Sequence, residues 1–142
     1  MGISWKIHKN ENLVSVSLHG RSSLLETVDA FREIAKHPEF HSSMRRLYLC
    51  EDNLEDSSGL DSTRGAFTDV LAQQVLRMFD HPATVAFVFK KGNTVAADRF
   101  AVTAHVCDEI YQKEGKEPMK RAHFTSLVGA LAWLDLPPDF TP

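Results

Sequence analysis

Only two cysteines occur in the 142 residues, Cys50 and Cys107, each in an apolar run and without a Cys-x-x-Cys pair. A disulfide framework and a cysteine-rich zinc site are therefore excluded, and two buried free thiols suited to a reducing cytoplasm are expected. No apolar run approaches the roughly 20 residues a membrane-spanning helix requires. Met1-Gly-Ile-Ser-Trp-Lys6 lacks the basic start and apolar stretch of a secretory signal, so a soluble, cytoplasmic chain is the expectation. Positive charge is not in excess either. Sixteen Lys and Arg stand against 19 Asp and Glu, for a net charge of −3. The basic footprint that neutralises nucleic-acid phosphates is missing. Phosphate-binding Walker loops, dinucleotide fingerprints, His-Glu-x-x-His and Gly-x-Ser-x-Gly elbows are all absent. No catalytic residue, cofactor or metal site is expected.

The composition is 43% hydrophobic and 25% charged, which suits one folded domain over residues 1–142. Two stretches, Ile3–His8 and Val14–His19, alternate apolar and polar residues around Lys9-Asn-Glu-Asn12 and predict an antiparallel hairpin. His8 and His19 fall on its polar side, which predicts edge or surface positions for both.

Ser23-Leu-Leu-Glu26 forms a capping box ahead of Leu24, Val28, Phe31 and Ala35 at helical spacing. His37-Pro38 stops that helix, so His37 and His41 lose the common face that a metal pair would need. Leu47–Cys50 is an apolar run too short for a helix, and it reads as a strand buried on both faces. A polar turn then leads through Asp56-Ser57-Ser58-Gly59-Leu60 into a second helix. Its apolar face is Phe67, Val70, Leu71, Val75, Met78 and Phe79, with Asp61 or Ser62 as cap. Asp80-His81-Pro82 closes it.

Ala83–Phe89 is a second buried strand. A third helix from about Thr94 to Lys113 carries Phe100, Ala104, Cys107 and Tyr111 in register, with Gly115 as its C-cap. Met119–Phe124 reads as a last strand. Thr125 or Ser126 caps a final helix with Leu127, Ala130, Leu131 and Leu134 on one stripe, and Pro137-Pro138 ends it. The order β-β-α-β-α-β-α-β-α predicts an α/β fold with a single-layer, mixed, mostly parallel five-stranded sheet and four main helices. Leu47–Cys50 and Val85–Phe89 should be adjacent central strands.

Two features of this chain are similar to the SpoIIAA-like fold, the group of STAS domains (anti-sigma-factor antagonists) and small bacterial STAS or CRAL-TRIO-like proteins. One is Asp56-Ser57-Ser58-Gly59-Leu60 between a buried strand and a helix. The other is the ending Phe124-x5-Ala130-x-x-Trp133-Leu134. The resemblance implies a single SpoIIAA-like domain and a non-catalytic regulatory or interaction role. Ser57 would be phosphorylated by a partner kinase, Asp56 would precede it, and Gly59 would allow close approach. The motif departs from the STAS pattern in the intervening Asn53-Leu-Glu55 and in a longer following helix.

Each candidate has a plainer reading. Asp56, Ser57 and Ser58 form a solvated turn that caps the second helix. Trp133, Phe124, Phe87 and Phe89 are core. Asp98-Arg99 beside His105 is a surface ion pair, and His123 has no partner at ligand spacing. Two functional readings follow. One is an interaction switch at the Asp-Ser-Ser-Gly-Leu loop, with a kinase or regulator as partner. The other is a pocket for a small apolar or lipid-like ligand near Phe100, Phe124 and Trp133. Nothing in the sequence selects between a monomer and a dimer.

Overall fold

The computed structural model describes residues 2–19, 21–22, 24–51, 55–56, 73–80, 82–90 and 94–142, with the side chains of 21, 22, 24, 55, 56 and 94–103 excepted. Along the chain, β1 (Ile3–His8), β2 (Leu13–Leu18) and β3 (Arg21–Ser22) precede α1 (Leu24–Lys36). Next come β4 (Arg45–Cys50), β5 (Glu55–Asp56) and α2, helical over residues 73–78. β6 (Thr84–Phe89), α3 (Thr94–Lys113), β7 (Lys120–Phe124) and α4 (Leu127–Trp133) complete the order.

The main sheet runs β1-β2-β4-β6-β7. β1 is antiparallel to β2, and the remaining pairs are parallel, as the alternation of strands and helices requires. The mixed sheet, the antiparallel edge and the adjacency of the two apolar strands all match expectation. One element was not anticipated. Glu55–Asp56, read as part of a polar turn, pairs in parallel with Arg21–Ser22 as a separate two-stranded sheet. Two residues carry too little periodicity to announce a strand.

Strand register assigns the faces. On one face lie Ile3, Trp5 and Ile7, then Val14, Val16 and Leu18, then Arg46, Tyr48 and Cys50, then Val85, Phe87 and Phe89. Val28, Phe31 and Ile34 of α1, Val75 and Met78 of α2, Phe79 just after it, and Ala104, Cys107 and Tyr111 of α3 close over it. Burying each large apolar side chain contributes about 1.5–3 kcal/mol. The α1 stripe uses Ile34 rather than Ala35, which is exposed. α3 ends as expected: Gly115 takes φ 70°, while its N–H bonds Gln112 and the Lys116 N–H bonds Tyr111. Phe67, Val70, Leu71, the proposed caps Ser23, Asp61 and Ser62, and His81 lie outside the described residues.

The second face carries Leu13, Leu47, Ala86 and Val88, covered by Ala130, Leu131 and Leu134 of α4 and its end, and by Leu136 of the chain's final segment. Ser126 caps α4 by accepting the Gly129 N–H. A side-chain carbon at Gly129 would meet the Phe124 ring at 3.2 Å, so the helix's first turn and β7 are fitted around glycine. Arg45 ties this layer together. Its guanidinium donates to the Leu134 carbonyl and, at 2.7 Å, to that of Glu11 in the hairpin turn.

Two expectations are corrected here. His8 stands on the edge strand β1, as expected, yet is buried at 9% exposure, because Phe140 folds back and sets its ring 4.8 Å from the imidazole. Trp133 is not core: 41% of it is exposed, and its ring lies 6.0 Å from that of half-buried Phe124. It falls off the Leu127–Ala130–Leu131–Leu134 stripe that meets the sheet.

Candidate functional site

Open α/β sheets commonly bind ligands beyond the carboxyl ends of their parallel strands. Here β4 ends at Cys50 and β6 at Phe89, and their next residues, Glu51 and Lys90, form an ion pair at 2.5 Å. Backbone bonds prolong the ladder beyond the strands, from Glu51 N–H to Leu18 and from Lys90 N–H to Cys50. On the second face, α4 starts just above this point.

Between them lies a cavity of about 400 Å³ lined by Leu49, Val88 and Leu127, the Glu51–Lys90 pair, Thr125, Ser126 and Cys50. This volume falls in the range of small-molecule sites. Its body is apolar, and its rim offers one carboxylate, one ammonium and two hydroxyls. Sequence reasoning missed Leu49, Glu51, Lys90 and Leu127 as site residues. The available signal was a charged residue directly after each of two adjacent buried parallel strands.

The expected residues are placed differently. The backbone of Asp56 is in β5, while Ser57, Ser58 and Gly59 lie outside the described residues. Phe100 is in α3, with its side chain also outside them. Phe124 and Trp133 touch each other but do not line this cavity. Phe87 and Phe89 are core, stacked 5.9 Å apart. His123, exposed on β7, packs edge-on to both at 5.1 and 5.5 Å, and loss of hydration, aided by Arg121, lowers its pKa. His105 pairs with Glu109 at 3.0 Å on an exposed helix face.

Among the described residues, two serine–histidine contacts occur. His8 Nε2 lies 3.1 Å from Ser15 Oγ, both buried beneath Phe140. His41 Nδ1 lies 2.8 Å from Ser43 Oγ in an exposed turn, where the same nitrogen accepts the Ser43 N–H. Neither contact opens on the cavity. The thiols are suppressed as nucleophiles: burial pushes Cys50 up to about 12 and Cys107 up to about 11. Among the described residues, no group of three His, Cys, Asp or Glu side chains could hold a metal ion. Nor is any described helix long and apolar enough to cross a membrane.

No protein-family model matches the chain, and neither a curated protein nor a solved structure matches it significantly. The fold itself defines the class: an α/β protein with a mostly parallel five-stranded sheet and a crevice at the carboxyl ends of its central strands.

Proposed function

We propose that this chain is a non-catalytic binding domain that holds a small, largely apolar molecule with a polar end. The cavity at the carboxyl ends of β4 and β6 carries this reading. Leu49, Val88 and Leu127 would take the apolar body. The polar end would meet Lys90, Glu51 and the Thr125 and Ser126 hydroxyls. A medium-chain fatty acid, decanoate, is a suitable probe because its carboxylate can compete with Glu51 for Lys90.

Amide shifts on titration should cluster at Leu49, Val88, Lys90 and Leu127. Leu127→Trp should fill the space and abolish them while the protein stays folded. Shifts scattered elsewhere, or none at millimolar decanoate, would remove the reading.

A second reading is the switch implied by the SpoIIAA-like resemblance, with Ser57 phosphorylated by a partner kinase. The pairing of Glu55–Asp56 with β3 supports it, since that pairing anchors the chain immediately before Ser57. A phosphate adds about −1.5 to −2 charge and can create or abolish a docking surface. Ser57→Asp and Ser57→Ala should then retrieve different partners from the native host while melting alike. Identical partner sets would favour the capping role for this loop.

A further inference from the structure

The other end of the sheet carries a surface unrelated to the cavity. β1 is an edge strand that pairs with β2 alone among the described strands. His19 N–H donates to the Gly2 carbonyl at 2.8 Å, which fixes the bonding phase of the antiparallel pair. Alternation then turns Gly2, Ser4, Lys6 and His8 toward β2, and the N–H and C=O groups of Ile3, Trp5 and Ile7 outward. Such a row of open backbone groups is a template for another strand.

Beside this edge, β1 and α1 form a groove of about 210 Å³. Its floor is Ile3, Trp5 and Ala30, and its α1 side presents Glu26, Asp29 and Glu33. The Trp5 ring is half-buried and held edge-on by His37 at 5.8 Å, so the floor is a fixed surface. Among the described residues, Asp29 is engaged by the exposed Arg32 at 3.6 Å, a pair that solvent screens.

We propose that this edge and groove dock an extended peptide segment of mixed apolar and basic character, which adds to the sheet as a sixth strand. Main-chain bonds to Ile3, Trp5 and Ile7 would supply affinity, and alternate side chains would supply selectivity. On the groove side, an apolar residue would cover Ile3 and Trp5, and a Lys or Arg two positions along would reach the α1 carboxylates. On the other face, the partner would meet Ser4 and Lys6, which favours small polar residues. Charge argues against a second copy as occupant. Pairing β1 with β1 about a two-fold axis would bring two sets of the α1 carboxylates together, and like charges across an interface oppose association.

The test uses the full chain, labelled with nitrogen-15, and the capped peptide Lys-Ser-Val-Ser-Lys-Ser-Val-Ser, with a control in which Glu replaces each Lys. Amide shifts at Ile3, Trp5 and Ile7, and slowed hydrogen exchange of those three amides, are expected with the Lys peptide only. Asp29→Lys combined with Glu33→Lys alters exposed helix positions and should keep the fold while weakening binding about tenfold or more. Ile7→Pro removes one outward donor and should also abolish the shifts, with the circular-dichroism spectrum as a check on folding.

Equal binding of the Glu peptide, an unaffected charge-reversed variant, shifts that map away from β1, or no binding at millimolar peptide would each overturn the proposal. So would self-association of the charge-reversed variant without peptide binding by the parent. In that case the carboxylates would serve only to keep copies apart.

Discussion

The guanidinium carbon of Arg46 lies 4.4 Å from the centroid of the Phe79 ring, in a position where Arg46 is only 2% exposed. Its Nη1 donates to Tyr48 Oη at 3.1 Å, and its Nη2 meets the Met119 sulfur at 3.8 Å. Nε is buried without a hydrogen-bond partner among the described residues. A buried cation held by an aromatic face, a hydroxyl and a thioether is costly to desolvate, and even buried ion pairs are often replaced by apolar residues at no cost or with a gain of about 1–4 kcal/mol. Arg46→Met should therefore fold and melt no lower than the parent.

The same contact predicts coupling. A desolvated cation–π pair is worth about 2 kcal/mol. Phe79→Leu should cost about that much more in the parent than in Arg46→Met, as read from denaturant unfolding of the four proteins in a double-mutant cycle. A coupling near zero would mean that Phe79 merely fills space.

His8 should make the fold acid-sensitive. Burial lowers its pKa below the ordinary 6.5, assisted by Lys6 and opposed by Glu11. Sign follows from proton count: with the folded pKa depressed, the unfolded chain binds more protons as pH falls. Stability should be full above the ordinary histidine pKa, decline as pH drops below it, and level off beneath the folded value. His8→Gln retains a polar partner for Ser15 and should flatten the decline below the ordinary histidine pKa of about 6.5. His123→Gln should flatten it less, because the exposed His123 shares the direction but is largely solvated. An unchanged slope in His8→Gln would show that the residue titrates freely.

These residues also show where a sequence is legible. β4 and β6 stood out because a parallel strand covered on both faces must be apolar throughout. The alternation in β1 put His8 on the same side as its partner's Ser15, and that was correct. Its burial was not readable there, since Phe140 arrives from the far end of the chain and no local period encodes that contact. Arg46 was hidden differently. It lies just outside the apolar run Leu47–Cys50, although a period of two places it with Tyr48 and Cys50. The cavity rim was missed although the adjacency of β4 and β6 was expected, because the placement of α4 over the Glu51–Lys90 pair is a tertiary contact that no local pattern encodes.

Trp133 gives a fourth prediction. A half-exposed aromatic that leans on Phe124 contributes part of its area and an aromatic contact of about 0.5–1.5 kcal/mol. Trp133→Ala should thus cost about 1–2 kcal/mol, against about 3–5 for truncating a buried tryptophan. The midpoint of urea unfolding measures it directly. Unfolding of the variant in buffer would place the indole in the core, against its 41% exposure.

The thiols provide the fifth. Cys50 sits at the end of β4 at 1% exposure, and Cys107 faces the same layer from α3 at 2%. Burial is the leading cause of both raised pKa values. Glu51 adds to it at Cys50, while Arg46 offsets it in part at Cys107. Thiolate is the reactive species, so at pH 8 both groups are protonated as well as shielded. An aromatic disulfide reagent should therefore label neither cysteine in the folded protein and both after denaturation. Because Cys50 also lines the cavity at the carboxyl end of β4, it is the sensitive reporter of the pair. Labelling of Cys50 at a rate well above that of Cys107, under conditions where the fold persists, would mean that the cavity admits reagent to the first face of the sheet. Equal and slow labelling of both would instead follow global unfolding, and its rate should then match the unfolding rate measured in the same buffer.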